Sequence, residues 1–345
     1  MNLFFVINSL SNKGGTERVA VLLANLFSKF FGGDIYIFSR DRIDAKPAYE
    51  LCDNIKWNKV DVNAFEFRNY LQCFISKEKP SYVIFHNMGR LSLIMSTLLK
   101  GNARFISLEH VSFLSRKWYL KILIRFLYHK FDNLVCLTES DAISYPVNKN
   151  KIKVIPNISP YEGINNKYDI SSKKIIAIGR LTEQKNFKAL IAAWSRIQKD
   201  ISKEWSLEIW GDGELKAELE KFIKDNNVKN LYLKGTSSNM SEIYRSSSFL
   251  VMSSLYEGLP MVLIEAISFG LPIVSFDCPC GPKEIIANDN GILVENGDID
   301  SLASAIKKLI LDPELRASYS INAKIASEKY TSGSILDKWR KLLEI

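Results

Sequence analysis

A chain of 345 residues, 47% of them hydrophobic, can bury a large core and is long enough for two domains. Its net charge of +8 is uneven: residues 1–165 hold 22 Lys and Arg against 14 Asp and Glu, whereas residues 166–345 hold 24 of each, which points the first half toward an anionic partner. Five scattered cysteines, an odd number, argue against a disulfide framework. Cys278 and Cys280 lack zinc-site spacing, and no uninterrupted apolar run reaches membrane-spanning length.

The start, MNLFFVINSL, has neither the basic region nor the cleavage site of a secretory signal, and residues 3–8 read as a strand. After the loop 9–15, Val19, Leu22, Leu23, Leu26, Phe27 and Phe30 recur at helical spacing, with Thr16 as the expected N-cap. Further strands are expected at 34–38, 82–85, 104–108, 134–137 and 153–156. Residues 159–172 are polar and aperiodic and read as a linker. A second series follows at 174–178, 207–210, 231–233, 249–252, 273–276 and 292–294, and the chain is helical from Ser301 onward. The alternation predicts an α/β protein with two doubly wound parallel-sheet domains facing an interdomain cleft. Residues 1–165 form the first domain, 166–330 the second, and a last helix within 331–345 is expected to pack back on the first.

Ligands of such sheets bind beyond the carboxyl ends of the strands. Gly14-Gly15 lies between the first strand and helix, where backbone N–H groups meet an anion or simply form a tight turn. It is not the dinucleotide fingerprint G-x-G-x-x-G. Gly179-Arg180 follows a strand and Lys185 precedes the next helix, two cations suited to a diphosphate or, alternatively, solvated surface charges. In SLYEGLPMVLIEAISFG, Glu257 and Glu265 stand eight residues apart, separated by the turn Gly258-Leu259-Pro260. Glu265 sits within an apolar run, where a carboxylate is costly without a partner. The turn offers amides at a helix N-terminus, and the two carboxylates can each accept sugar hydroxyls.

Of the three histidines, His110 follows the strand ending FISLEH beside Glu109, and is either an active-site group or a helix cap. His86 ends another strand, and His129 falls on the helix SRKWYLKILIRFLYHKF. There Lys117, Lys121 and Arg125 recur every four residues, with Lys130 near the end, among Trp118, Leu120, Ile122, Leu123, Ile124, Phe126 and Leu127. Such a helix lies at an anionic membrane surface, or docks on the core with its charges in water.

The ordered set GGTERV, LEH, IGRLTEQKNF, WGDGE, LKG and E-G-L-P-x4-E, spanning essentially the whole chain, resembles the family 4 retaining glycosyltransferases of the GT-B fold. The resemblance implies these roles. Gly15 gives backbone contact to the donor's diphosphate, and Arg180 and Lys185 neutralise it as it leaves. Glu257 with Gly258, Leu259 and Pro260 holds the transferred sugar, Glu265 the ribose, and His110 sits near the reaction centre. The loop beginning at Thr236 lies near the base. It implies a nucleotide-sugar donor, UDP-linked, no metal and no cofactor, and a hexose or N-acetylhexosamine passed to a lipid-linked or polysaccharide acceptor. The expected setting is the cytoplasmic face of the membrane. Nucleic acid is not an expected partner, since the basic helix lacks an interleaved single-strand platform. The rival readings are a nucleotide-sugar epimerase, which needs more acids and histidines, a sugar phosphorylase with lysine-bound pyridoxal phosphate, and a non-catalytic nucleotide-sugar-binding protein.

Overall fold

Thirteen strands and their helices, all within a computed structural model that describes residues 2–97, 101–164, 167–201 and 203–344, assemble into two compact units. The first comprises Met1–Ile158 together with Ser332–Ile345, and the second Ser159–Thr331. The expected boundary between residues 165 and 166 lies outside the described residues. The division falls earlier, so the polar segment from Ser159 belongs to the second unit. Arg316 explains part of this: its guanidinium donates to the Ile170 carbonyl at 3.3 Å.

The first unit has strands β1 (Leu3–Val6), β2 (Ile35–Ser39), β3 (Lys56–Lys59), β4 (Tyr82–Asn87), β5 (Arg104–Glu109), β6 (Asn133–Cys136) and β7 (Ile152–Val154). They form one parallel sheet in the order β3-β2-β1-β4-β5-β6-β7. β1, β2 and β4 are buried along their whole length, the continuous apolar signature of a sheet covered on both faces. β3, sequence KWNK, was not foreseen: a short, half-buried edge strand of mostly polar residues carries no pattern. It is held by its pairing to β2 and by the Trp57 indole N–H donating to Ser39 Oγ at 2.8 Å.

Helix Gly15–Phe30 begins earlier than expected. Gly14, extended at φ −135°, is its N-cap, and Thr16 lies inside the helix. Helix Ser332–Leu343 packs on this unit, with Trp339 edge-on to Phe27 at 5.5 Å and Tyr82 donating to the Leu343 carbonyl at 2.6 Å.

The second unit has β8 (Lys174–Ile178), β9 (Ser206–Trp210), β10 (Leu231–Gly235), β11 (Phe249–Met252), β12 (Ile273–Asp277) and β13 (Gly291–Glu295), again all parallel, in the order β10-β9-β8-β11-β12-β13. Its core gathers Trp194, Ile191, Leu207, Val251 and Ile306 around the sheet. Strand order reverses between β1 and β4 in the first unit and between β8 and β11 in the second, which makes those two edges the natural ligand positions.

Candidate functional site

In the second unit, the carboxyl ends of β8 and β11 lie side by side at the reversal. β8 leads through Gly179, Arg180 and a short turn, Glu183–Lys185, to helix Phe187–Ile197. Between turn and helix stands Asn186, left-handed at φ 48°, a conformation asparagine tolerates. β11 leads through residues 253–260 to helix Met261–Ser268. The two loops are laced together. Leu255 N–H donates to the Gln184 carbonyl at 2.8 Å, Gln184 Nε2 to the Tyr256 carbonyl at 2.9 Å, and Ser253 Oγ to the Lys185 carbonyl at 2.9 Å.

That lacing brings two of the expected site residues into contact. Lys185 Nζ stands 2.6 Å from Glu257 Oε1, with the side chains only 17% and 10% exposed. The pairing was not foreseen, since the two residues had been assigned to different parts of the donor. Its consequence is chemical: a lysine and a carboxylate hold one another at the carboxyl edge of the sheet, beside the strand-order reversal.

Glycines make the edge close-packed. At Gly211, φ +143°, a Cβ would stand 1.8 Å from the Gly179 carbonyl oxygen, so the WGDG loop tolerates no side chain there. At Gly281, φ +83°, a Cβ would stand 2.5 Å from the Gly258 carbonyl oxygen, so residues 278–281 back directly onto the Gly258-Leu259-Pro260 turn. Burial, with Glu257 nearby, pushes the Cys278 thiol up to about 12, which makes it packing material and not a nucleophile.

Glu265 is 3% exposed, as its apolar neighbours demanded, but it has a partner the sequence did not reveal. The Tyr244 hydroxyl donates to Glu265 Oε2 at 2.7 Å, and that tyrosine stacks on Phe269 at 5.3 Å. Pro260 is the N-cap of the helix, with Leu259 buried behind it. Arg180 and Thr236 are both exposed, at the ends of β8 and β10.

The first unit's edge carries the remaining residues. Asp41, missed in the sequence, shapes the loop ahead of Gly15: Ser9 and Ser11 hydroxyls donate to it at 2.6 Å and Leu10 N–H at 2.7 Å. Burial opposes its ionisation, but these bonds outweigh burial and hold the carboxyl below its ordinary value. Glu17 lies over Gly14, where an added Cβ would stand 2.3 Å from its carboxylate oxygen. An acid therefore already faces the helix N-terminus expected to bind phosphate. His110 and His86 are both buried, with His86 Nδ1 3.1 Å from His110 Nε2.

Beside them Glu109 is the hub of a buried network. It accepts from Asn87 Nδ2 at 2.9 and 3.1 Å, from Tyr145 at 3.1 Å, from Ser107 at 2.5 Å, and from Arg116. Glu109 therefore acts structurally, pinning the loop between His110 and the basic helix.

The basic helix, Trp118–Leu127, buries Ile124 alone. Its apolar side is the exposed one: Trp118 is 73% and Phe126 64% accessible, with Ile122, Leu123 and the preceding Leu114 also exposed. Lys117, Arg125 and Lys130 are exposed around it. Lys121 is drawn back, half-buried, donating to the Leu114 carbonyl at 2.9 Å and lying over the Phe113 ring. His129 is exposed in the turn Tyr128–Lys130 that follows.

Comparison with known proteins accords with this architecture. Residues 162–326 match the family described as Glycosyl transferases group 1. The amylovoran biosynthesis glycosyltransferase AmsD of Erwinia amylovora is 34% identical, the match covering 99% of each chain. A Campylobacter jejuni α-1,4-N-acetyl-D-galactosaminyltransferase, named for an undecaprenol-diphosphate-linked saccharide, is 27% identical over 99% of this chain and 98% of its own. Among solved structures, Staphylococcus aureus TarM in a complex containing UDP superposes with a TM-score of 0.80 at 18% identity, and Anabaena HepE with UDP at 0.83 and 15%, each over the full length of both chains. Those last two likenesses speak for the fold. The full-length identity to AmsD, the family match over the second unit and the two reversed-order parallel sheets together place the chain among the group 1, GT4-type glycosyltransferases with the GT-B fold.

Proposed function

We propose that this glycosyltransferase is a retaining, metal-independent enzyme that moves a hexose or N-acetylhexosamine from a UDP-sugar to a lipid-linked or polysaccharide acceptor at the cytoplasmic membrane surface. The observation that carries the reading is the Lys185–Glu257 pair at 2.6 Å on the reversal edge of the second unit. Lys185, with Arg180, neutralises the diphosphate as charge develops on it. Preset electrostatic stabilisation of this kind is often the largest catalytic contribution. Glu257 and the amides after Gly258 hold the sugar, Glu265 the ribose, and the Thr236 loop lies by the base. For Gly15 and His110, on the first unit, a donor-contacting role rests on the family resemblance alone. In front-face transfer the C1–phosphate oxygen bond breaks as the acceptor oxygen bonds C1 from the same side. The acceptor's proton passes to the departing phosphate oxygen, so the chain need supply no base. The UDP-containing structural relatives and the undecaprenol-linked saccharide in a relative's name support the donor and acceptor classes.

A thermal-shift panel of UDP-, GDP- and ADP-sugars tests the donor. Ligand at 100 times its Kd stabilises the folded chain by about 2.7 kcal/mol, so UDP-sugars are expected to raise Tm most. A larger rise with GDP- or ADP-sugars removes the uridine assignment.

The membrane half of the proposal rests on helix Trp118–Leu127, whose exposed apolar side is flanked by Lys117, Arg125 and Lys130. Charge complementarity selects an anionic lipid surface as its occupant. No helix of the described residues is long and apolar enough to cross a membrane. Each apolar side chain transferred into lipid contributes about 1.5–3 kcal/mol. The double variant Trp118→Glu/Phe126→Glu is therefore expected to lose at least tenfold in co-sedimentation with phosphatidylglycerol vesicles, as is the wild type in high salt. Undiminished binding by the variant overturns the assignment of this helix.

A further inference from the structure

In the first unit, two histidines from adjacent strands face one another with room for a single hydrogen between them. His86 lies on β4 and His110 directly follows β5. His86 Nδ1 and His110 Nε2 are 3.1 Å apart, in rings inclined at only 16°. Phe5, from β1, stacks on His86 at 5.4 Å. His86 is 0% exposed, and among the described residues its Nε2 has no hydrogen-bond partner. His110 keeps 9% of its surface accessible, and its backbone N–H is fixed on the Asn87 carbonyl at 3.0 Å.

Burial keeps both rings neutral. It lowers His110 to about 3 and, with repulsion from His110 added, His86 well below its ordinary value. A neutral imidazole carries one donor and one acceptor. Of the two facing nitrogens, one must donate and the other accept.

The two arrangements differ in what they strand in the interior. If His110 Nε2 donates, His86 carries its hydrogen on Nε2, and a buried N–H is left without an acceptor. If His86 Nδ1 donates, the stranded Nε2 is a bare lone pair, and His110 carries its hydrogen on Nδ1. Among buried backbone groups an orphaned N–H is rarer than an under-satisfied acceptor, and the same preference applied to His86 favours the bare lone pair. The ordinary preference of neutral imidazole for the Nε2–H form works the other way, and the stranded donor outweighs it.

We propose that His86 is a positioning residue that fixes His110 as its Nδ1–H tautomer. His110 then carries a preset Nδ1–H hydrogen-bond donor for a substrate oxygen, and its inner nitrogen is already engaged. The effect on turnover rests on the function proposed above, whereas the tautomer does not.

Nitrogen-15 imidazole NMR of the whole protein reads the tautomer directly, and only three histidines need assigning, through His110→Gln and His129→Gln. The expected wild-type spectrum at neutral pH shows His110 with hydrogen on Nδ1 and a bare Nε2. His86→Asn retains an amide N–H in place of Nδ1, so it should preserve both the tautomer and most of the turnover. His86→Phe removes the donor. It should shift His110 to the Nε2–H form and lower kcat roughly 10- to 100-fold with donor KM little changed. A wild-type His110 in the Nε2–H form overturns the proposal, and that spectrum decides even if His86→Phe does not fold. A tautomer that changes in His86→Phe without any loss of turnover removes His110 from the reaction, and with it the purpose proposed for the pair, while leaving family membership untouched.

Discussion

Lys185→Met is expected to lower turnover by about 10²- to 10³-fold, the range seen when one preset group that stabilises developing charge is removed. The variant also leaves Glu257, 10% exposed, without its cation. A buried charge-assisted bond broken from one side costs about 1–3 kcal/mol, so some fall in Tm should accompany the loss. The double variant Lys185→Met/Glu257→Gln separates the two effects. With no carboxylate left unpaired, its Tm should recover toward the wild type, yet turnover should stay low because neither the diphosphate nor the sugar regains its partner. The measurements are kcat with UDP-sugar and acceptor, and melting temperature, for the two single variants and the double. Activity that returns along with stability would show that the pair serves the fold and not the chemistry. Full activity in either single variant defeats the role given to that residue.

Arg116→Met should cause the largest loss of stability, with no direct effect on donor contacts. Its side chain is 2% exposed and that of Glu109 0%. Burial opposes charge on the guanidinium, but Glu109 outweighs it, with Tyr145 and Tyr128 assisting, and the group is held well above its ordinary value. Removing one partner of a fully buried pair costs about 3–5 kcal/mol, because the other charge stays desolvated. For a unit of this size that is a fall of roughly 6–20 °C in Tm. Arg116 also donates to the Gly89 carbonyl at 2.8 Å, so it ties the β4 loop to the β5 loop. Adding Glu109→Gln to Arg116→Met removes the stranded charge while keeping acceptor oxygen for Asn87 and Tyr145, and should restore part of the lost stability. A single variant melting within 2 °C of the wild type would show that the guanidinium is not needed to balance Glu109.

Twelve of the thirteen strands were legible as apolar runs to within two residues at their ends, because a parallel sheet covered on both faces admits almost nothing polar. β3 was not, because an edge strand made of Lys56, Trp57, Asn58 and Lys59 is stabilised by its neighbour and not by its own composition. The apolar surroundings of Glu265 correctly announced its burial; its partner Tyr244 lies on another element and left no local signal. The basic spacing of helix Trp118–Leu127 was visible, but not which side faces outward. Lys121 was expected among the exposed charges and is instead folded back onto Leu114.

From the one-dimensional string alone came the alternation of strand and helix, the two-unit plan, and the Gly-, Arg-, Lys- and Glu-bearing loops at strand ends. These are local properties, set by side-chain periodicity and by turn chemistry within a few residues. Three pairings had to wait for the folded chain: Lys185 with Glu257, 72 residues apart, Glu265 with Tyr244, 21 apart, and His86 with His110, 24 apart. The reason is topological. Parallel strands that are neighbours in a sheet are separated in sequence by a whole crossover, so the first and third pairs, at neighbouring strand ends, share no local pattern, while Tyr244 and Glu265 ride on two different helices brought together by packing.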